Sequence, residues 1–304
     1  MKKKVLIISG GISKERAVSL DTGKQVAQEL VKNKYTIKIV EPNFKLLDVI
    51  KSFKPNVIFN ALHGQFGEDG YIQTILETTN IPYTHSGAIP SAVAMDKELS
   101  KKIFIKNKIL TPKYILYSYD KNKSQLVKLI DQKLKFPVVI KPLNEGSSVN
   151  VFICTKKNII KNINLLKSYK RIIIEAFIPG REIQVAIMGK KKLGAIELKP
   201  KRKFYDYKAK YKKSAKTKHI IPVDLNRNNL NKVLNISLRA HNLIGCKGIT
   251  RSDFKFYKNK FYLLEINTQP GMTKLSLVPE IAAHKGISFY NLIKWILKDA
   301  SIKR

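Results

Sequence analysis

The first ninety residues alternate between short apolar runs and longer amphipathic stretches. Residues 5–9, 35–40 and 55–61 have the apolar content of buried strands, and residues 17–31 and 71–79 have helical spacing. Strands that alternate with helices in this way predict a parallel sheet with helices on both faces. Ligands of such sheets bind at the carboxyl ends of the strands.

Two loops lie at that predicted edge, residues 10–15 after the first strand and residues 63–70 after the third. They carry Glu15 and His63, which sit at adjacent strand ends of one sheet. The N-terminus of the following helix would face an anion bound there. Taken alone, Glu15 could equally cap that helix, and His63 is as often structural as functional.

The remaining chain predicts two further lobes. A central lobe, residues 96–180, begins with a helix at 96–108 and has strands at 136–143, 151–154 and 171–178 with a helix at 158–168. A third lobe, residues 181–304, has strands at 183–188 and 193–198, a helix at 228–243, a hairpin, and two C-terminal helices within 277–297. The polar loop 199–219 is long for a compact lobe and predicts a lid, with a flexible surface loop as the alternative. Residues 1–95 form the first lobe in this division.

The hairpin joins residues 249–257 to residues 260–266 through a short polar turn. Glu265 and Asn267 are two positions apart, so on a strand they share a face, and Asp253 lies on the partner segment. Three hard oxygen ligands predict a Mg²⁺ site that holds polyphosphate.

Arg251 and the backbone N–H of Gly271 lie next to this set and could stabilise a developing oxyanion. The alternative is that Glu265 forms an ordinary solvated ion pair, as most strand carboxylates beside a basic residue do. The flanking Leu and Ile residues favour a buried face and therefore a site.

Lys141 ends a buried strand and is followed by a Gly-Ser turn at residues 146–148. A lysine there could contact phosphate as a point charge while the turn's N–H groups surround its oxygens. The alternative is a lysine that only extends to solvent from a strand end. Glu175 and Glu182 border a second strand end, where exposed backbone and carboxylates could contact adenine and ribose.

The composition argues against a nucleic-acid-binding protein and against a protein that spans a membrane. The chain has 304 residues, 44% hydrophobic content and a net charge of +36, with lysines spread through nearly every segment. Because they form no stripe with interleaved aromatics, nucleic-acid binding is not predicted, although anionic substrates should be attracted. No apolar run is long enough to cross a membrane, and two cysteines in apolar segments fit a reducing cytoplasm.

Five segments together resemble the D-alanine–D-alanine ligases of the ATP-grasp superfamily: residues 63–70, 94–97, 145–148, 205–211 and 267–273. The resemblance runs in the same order from Gly10 to the C-terminal helix. It implies a three-lobed α/β ATP-grasp architecture, with an N-terminal Rossmann-like parallel-sheet lobe and two α+β lobes that clamp ATP. It also implies ATP-dependent joining of two D-alanines, by way of a D-alanyl phosphate, for peptidoglycan synthesis in the cytoplasm, by a homodimer.

The resemblance assigns the nucleotide and metal contacts. ATP would contact Lys97, Lys141, Ser148, Glu175, Phe177, Ile178, Glu182 and Lys210. Two Mg²⁺ or Mn²⁺ ions would be held by Asp253, Glu265 and Asn267, with Glu265 bridging.

It also assigns the substrate contacts. Glu15 would bind the ammonium of the first D-alanine, and His63 would lie near its carboxylate. Ser147 and Tyr211 would complete a hydrogen-bonded set with Glu15. Catalysis would further involve Lys210, on the transferred phosphate, and Arg251 with Gly271, on the oxyanion; the second carboxylate would contact Ser276 and Leu277.

The sequence departs from the family pattern at Ala17, His85, Asn150 and Ala176, where acidic, glycine, glycine and polar residues are usual. Of these, Asn150 is expected to adopt a positive φ. Two alternatives stay open. One is a ligase that takes D-lactate or D-serine as second substrate, and Tyr211 argues against D-lactate. The other is a catalytically silent nucleotide- or nucleic-acid-binding protein.

Overall fold

A computed structural model describes residues 3–119, 122–147, 149–199 and 217–304. Its first lobe contains a parallel sheet of three strands in the order β2-β1-β3. The elements in chain order are β1 (Lys4–Ile8), α1 (Arg16–Lys32), β2 (Thr36–Val40), α2 (Leu46–Phe53), β3 (Val57–Asn60), α3 (Tyr71–Glu77) and α4 (Ala88–Met95).

Strand β1 shows why this sheet is covered on both faces. Val5 and Ile7 belong to one buried cluster, together with α1, and Leu6 belongs to another, together with α2. A strand buried on both faces reads as a continuous apolar run rather than an alternating one. The predicted parallel sheet is confirmed, while α2 and α4 were absent from the sequence prediction.

The second lobe contains a four-stranded antiparallel sheet in the order β4-β7-β5-β6. Its elements are α5 (Lys97–Lys106), β4 (Tyr114–Ser118), α6 (Lys123–Lys133), β5 (Val138–Pro142), β6 (Phe152–Cys154), α7 (Ile159–Leu165) and β7 (Arg171–Ala176). Strand β4 and helix α6 were not predicted. Helices α6 and α7 pack on the sheet through Leu126, Ile130, Ile159 and Ile163.

The third lobe contains a five-stranded antiparallel sheet in the order β10-β9-β8-β11-β12. Its elements are β8 (Arg181–Met188), β9 (Lys191–Lys199), β10 (Lys218–Ile220), α8 (Arg227–Ile244), β11 (Ile249–Tyr257), β12 (Lys260–Asn267), α9 (Leu277–His284) and α10 (Phe289–Asp299). Both ends of the predicted lid loop 199–219 are therefore strand residues, paired as Lys218 with Lys199. Residues 200–216 lie outside the described part of the chain.

Helix α10 ties the third lobe to the first. Leu292, Ile293, Ile296 and Leu297 are buried in the same cluster as Val5 and Ile7 of β1. The first and third lobes therefore share a core, which fixes the loops at the carboxyl edge of the parallel sheet against the third lobe. Among the described helices, none combines the length and apolarity needed to cross a bilayer.

Candidate active site

The hairpin β11–β12 places the predicted metal ligands side by side. Asp253 pairs directly with Glu265, and Arg251 pairs with Asn267. Because Cβ atoms of directly paired residues point to the same face, all four side chains lie on one face of the hairpin. The turn at Lys258 and Asn259 has positive φ at both positions, as a tight right-twisting hairpin needs.

The arginine of this hairpin contacts its own strand neighbour. Nε and Nη2 of Arg251 donate to the two carboxylate oxygens of Asp253 at 2.7 and 3.0 Å. Such a bidentate pair fixes both side chains in a plane. Oδ1 of Asn267 accepts from the backbone N–H of Gln269 at 2.7 Å, which orders the turn that leads to Gly271.

Lys141, at the end of β5, is held by a buried carboxylate. Its Nζ lies 2.9 Å from Glu175, whose other oxygen is 3.0 Å from Nζ of Lys101. Glu175 is 3% exposed and Lys101 is fully buried. Burial by itself raises the pKa of Glu175, but the two lysines outweigh it and leave the pKa below its ordinary value.

Lys101 is a residue that the sequence prediction missed. Burial lowers the pKa of its ammonium to about 8, with Glu175 opposing the change. Its Nζ also donates to Oγ1 of Thr111 at 2.5 Å. The available signal was its position four residues after Lys97, which places both lysines on one face of α5.

Lys97 begins α5 and lies between the turn that contains Glu145 and strand β12. Its Nζ donates to the backbone carbonyl of Glu145 at 2.7 Å and lies 3.8 Å from the carboxylate of Glu265. The carboxylate of Asp96 caps the helix by accepting from two backbone N–H groups of its first turn.

These side chains border two adjoining cavities. The smaller, of about 80 Å³, brings together the described residues predicted to contact ATP: Lys97, Lys141, Glu175, Phe177, Ile178 and Glu182. Asp253 and Glu265 of the metal set line it as well. The larger, of about 830 Å³, is lined by the predicted substrate residues Glu15, His63, Ser147, Arg251, Gly271, Ser276 and Leu277, and also by Asn267. Lys97, Glu145 and Glu265 line both cavities.

Glu15 faces the larger cavity. It occupies the position before α1, but its side chain makes no capping hydrogen bond to that helix. It accepts a hydrogen bond from the hydroxyl of Ser147 instead. A Cβ added at Gly64 or Gly146 would lie 2.7 or 2.9 Å from Oε2 of Glu15, so both glycines are needed for the carboxylate to fit. The structure thus brings Glu15 and Ser147 into contact.

His63 is fixed through both ring nitrogens. Nε2 lies 3.0 Å from Oγ1 of Thr22, and Nδ1 lies 3.0 Å from Glu68. Burial raises the pKa of Glu68, and the nearby carboxylate of Glu15 adds to the effect, while the hydrogen bond to His63 opposes it. Glu68 was not predicted as a site residue, although it lies within residues 63–70, one of the five segments that resemble the ligase family.

Ser276 precedes α9 and closes the far side of the cavity. Its hydroxyl accepts from the backbone N–H of Thr273 at 3.1 Å and contacts the Thr273 hydroxyl at 2.8 Å. A Cβ at Gly271 would meet this hydroxyl at 3.0 Å, which makes the turn tight there. Ser148, Lys210 and Tyr211 lie outside the described residues, so their predicted contacts stay predictions.

Comparison with known proteins decides the family. Models of the D-ala D-ala ligase C-terminus and N-terminus match residues 107–298 and 40–86. A D-alanine–D-alanine ligase of Pelagibacter ubique is 73% identical over all of both chains, and one of Rhodospirillum rubrum is 39% identical over 99% of both. The chain belongs to the D-alanine–D-alanine ligase family.

Solved structures agree with this. A D-alanine–D-alanine ligase of Bacillus anthracis complexed with ATP has a TM-score of 0.84 at 32% identity, and covers 98% of this chain and 97% of its own. A second structure of that enzyme has a TM-score of 0.87 at 34% identity, with the same coverage. The predicted three-lobed ATP-grasp architecture is confirmed.

Two departures from the family pattern occupy positions that favour glycine. His85 has φ +70° and Asn150 has φ +57°, so the expectation for Asn150 is confirmed. The Asn150 amide donates to the Tyr169 hydroxyl at 2.8 Å, which compensates in part for the left-handed backbone. His85 is 1% exposed and packs edge-on to Phe59; burial lowers the pKa of His85 to about 3.

Proposed function

We propose that this member of the D-alanine–D-alanine ligase family joins two D-alanines with ATP through a D-alanyl phosphate, releasing ADP and phosphate. The observation that carries the proposal is that the two cavities adjoin through Lys97, Glu145 and Glu265. A nucleotide in one cavity would then point its phosphates at a carboxylate bound in the other. Proximity of this kind turns a reaction between two molecules into one within a single complex.

In this proposal Lys97 and Lys141 neutralise the ATP phosphates. Lys141 is held at 2.9 Å by Glu175, so the ammonium is positioned before the nucleotide arrives. Phe177 and Ile178 give the adenine an apolar wall, and Glu182, whose carboxylate is 3.2 Å from Nζ of Lys255, lies where a ribose would bind. Ser148 and Lys210 would complete the contacts to phosphate, as the resemblance implies.

Two Mg²⁺ or Mn²⁺ ions fit the donor set of Asp253, Glu265 and Asn267. These are hard oxygen donors on one face of a hairpin, with Asp253 and Glu265 directly paired. When bound, such ions neutralise charge that develops on transferring phosphoryl groups. Arg251 contacts Asp253 through both oxygens and would release them on metal binding, which frees its guanidinium for the oxyanion.

The first D-alanine would bind with its ammonium on Glu15 and its carboxylate near His63. Ser147 fixes the orientation of the Glu15 carboxylate. Glu68 and Thr22 hold the His63 ring, so it needs no rearrangement when substrate binds. Tyr211 would join Glu15 and Ser147 from the predicted lid and exclude water, which would otherwise hydrolyse the acyl phosphate.

The second D-alanine would bind at the start of α9. Ser276 and the N-terminal end beginning at Leu277 offer donors to its carboxylate. Attack by its amine creates a tetrahedral oxyanion, which Arg251 and the Gly271 N–H would stabilise.

We further propose that the enzyme acts as a homodimer in the cytoplasm. Cys154 and Cys246 are both free and buried, which suits a reducing compartment.

The proposal is tested by phosphate release from ATP in the presence of D-alanine, L-alanine, D-serine or D-lactate. We expect release with D-alanine and formation of D-alanyl-D-alanine. Equal turnover when D-lactate is the second substrate at neutral pH would contradict the assigned specificity. Salt-sensitive DNA binding with no D-alanine-dependent release would favour the silent binding protein.

A further inference from the structure

The proposed function leaves one proton unassigned. The amine of an amino acid is largely protonated at neutral pH, and an ammonium has no lone pair with which to attack an acyl phosphate. The residues assigned so far hold charge or orient substrates. A general base next to the second D-alanine is therefore still required.

A histidine–carboxylate pair lies in the right cavity. Nδ1 of His219, on β10, is 2.6 Å from Oε2 of Glu280, in the first turn of α9. Both residues line the cavity of about 830 Å³ that also contains Arg251, Gly271 and Ser276. Their side chains are 28% and 30% exposed, so they are accessible to a ligand.

The pair is close to the subsite proposed for the second carboxylate. The backbone N–H of Glu280 donates to the carbonyl of Ser276 at 3.1 Å, as the first helical hydrogen bond of α9. Residues four apart lie on the same face of a helix, one turn of about 5.4 Å apart along its axis. A D-alanine whose carboxylate is bound at Ser276 would thus have its ammonium within reach of the pair.

Hydrogen bonding defines the tautomer of His219. An ionised carboxylate accepts but cannot donate, so Nδ1 of His219 carries the hydrogen. Nε2 is then the nitrogen that can take a proton, and in the described part of the chain it has no hydrogen-bond partner.

Several other titratable groups that line this cavity are less suited to the task. His63 uses both ring nitrogens, on Thr22 and Glu68. Glu15 is held by Ser147, and Glu265 lies beside Lys97. The remaining charged residues of the lining are Asp21, Lys274, Glu145 and Arg251. The carboxylate of Glu145 accepts from Lys14 and Tyr169, and Arg251 is a permanent cation.

We propose that His219 is the general base that deprotonates the second D-alanine, and that Glu280 is the positioning residue that fixes its ring. This rests on the proposed function. The lone pair on Nε2 takes one proton from the ammonium, and the freed amine pair forms the C–N bond to the acyl carbon. Collapse of the tetrahedral species breaks the bond from carbon to the phosphate oxygen, and phosphate leaves with that electron pair. The second amine proton departs with the phosphate, and the imidazolium returns its proton to solvent.

An assay with hydroxylamine as the nucleophile distinguishes a general base at His219 from a residue with only a structural role. Its nitrogen is neutral at pH 7, so it attacks an acyl phosphate without a base and gives D-alanyl hydroxamate. The full chain is assayed with ATP and D-alanine, with and without hydroxylamine, and dipeptide and hydroxamate are measured separately. The variants are His219→Gln and Glu280→Gln, and the control is Lys218→Gln, the neighbouring exposed residue of β10.

For His219→Gln we expect dipeptide formation to fall about 100-fold while hydroxamate formation stays within roughly threefold of the unmodified enzyme. Glu280→Gln should reduce dipeptide formation about tenfold, because an amide oxygen still accepts from Nδ1 but stabilises the imidazolium less. Lys218→Gln should change neither product.

Parallel loss of dipeptide and hydroxamate in both site variants would assign the pair a structural role and overturn the proposal, as would unchanged dipeptide formation in His219→Gln. Absence of hydroxamate from the unmodified enzyme would instead contradict the acyl phosphate of the proposed function.

Discussion

The carboxylate of Glu175 provides the sharpest stability test, because it is buried between two cations. Its oxygens lie 3.0 and 2.9 Å from Lys101 and Lys141, and all three side chains are less than a tenth exposed. Glu175→Gln keeps the shape of the side chain but removes the anion that lies between the two ammonium groups.

The surface of the same lobe contains a matched control. Glu98 also lies between two cations, with Lys102 and Arg171 each 2.7 Å away, but those partners are 60% and 51% exposed. Glu98→Gln removes the same charge from an arrangement of the same kind in which both cations are exposed to solvent.

The expected loss of stability is about threefold larger for Glu175→Gln than for Glu98→Gln. Removing one partner of a buried ion pair costs about 3–5 kcal/mol, and we expect about 3 for Glu175→Gln, because Lys101, with a pKa of about 8, readily loses its proton. Exposed pairs contribute about 0–1 kcal/mol each. At roughly 2 °C per kcal/mol for a chain of this size, the melting temperature should fall by about 6 °C for Glu175→Gln. At about 0.5 kcal/mol for each of its two exposed pairs, Glu98→Gln should lower it by about 2 °C.

The pH dependence has a defined sign. The pKa of Lys101 in the folded chain lies below its value of 10.5 in the unfolded one, so between the two the unfolded chain binds more protons and stability rises with pH. Without Glu175 the pKa of Lys101 in the folded chain falls further. The pH range in which stability rises with pH therefore begins at a lower pH. The loss of unfolding free energy in Glu175→Gln, relative to the unmodified chain, should therefore be smaller at pH 8 than at pH 7.

Both variants are unfolded by heat and by urea at pH 7 and pH 8, followed by circular dichroism in the absence of nucleotide. Equal shifts for Glu175→Gln and Glu98→Gln, or a deficit that grows as the pH rises, would refute the interpretation of the buried cluster.

Three further predictions concern the site and its surroundings. Glu265→Gln should lower kcat on the order of 1000-fold, because it removes the charge proposed to bridge two metal ions; a near-normal rate in a steady-state assay would exclude that role. Ser147→Ala should lower kcat by roughly 10- to 100-fold with little change in melting temperature, since the Glu15 carboxylate loses the donor that orients it. His85→Gly tests acid stability: the folded pKa of about 3 lies below the unfolded value of 6.5, so the stability that depends on neutral His85 is complete above pH 6.5 and is lost as the pH falls toward 3. Urea unfolding between pH 6 and pH 4 should show a slope about 1.4 kcal/mol per pH unit smaller in His85→Gly, and an unchanged slope would exclude a buried neutral imidazole.

Strong local patterns explain what the sequence could predict. The hairpin β11–β12 combines two apolar strands with a polar turn, so its pairing and the shared face of Asp253 and Glu265 followed directly. The parallel sheet followed in the same way from the apolar run of β1, which is buried on both faces.

Elements with weaker patterns were missed. Strand β4 is at the edge of its sheet and is mostly half-buried, so its mixed polar and apolar residues lack a clear period. Helix α6 buries only Leu126 and Ile130, although Asn122 was a usable capping signal, since its side chain accepts from two backbone N–H groups of the first turn.

Ion pairs between residues that are distant in the sequence were the least predictable feature of the site. Lys101 reads as one of many surface lysines, and only the packing of α5 against β7 reveals that it is buried against Glu175. His219 and Glu280 are 61 residues apart, so neither could be assigned a partner from the sequence.

The proposed D-alanyl phosphate is tested most directly by tracing one oxygen atom from the D-alanine carboxylate into the released phosphate. D-alanine labelled with oxygen-18 in its carboxylate is incubated with the enzyme and ATP, and the released phosphate is examined by mass spectrometry. If ATP phosphorylates the carboxylate before the second amine attacks, one labelled oxygen per turnover passes into inorganic phosphate and D-alanyl-D-alanine accumulates in equal amount. Dipeptide formed with unlabelled phosphate would contradict the proposed acyl phosphate, and phosphate released without dipeptide would contradict the ligation itself.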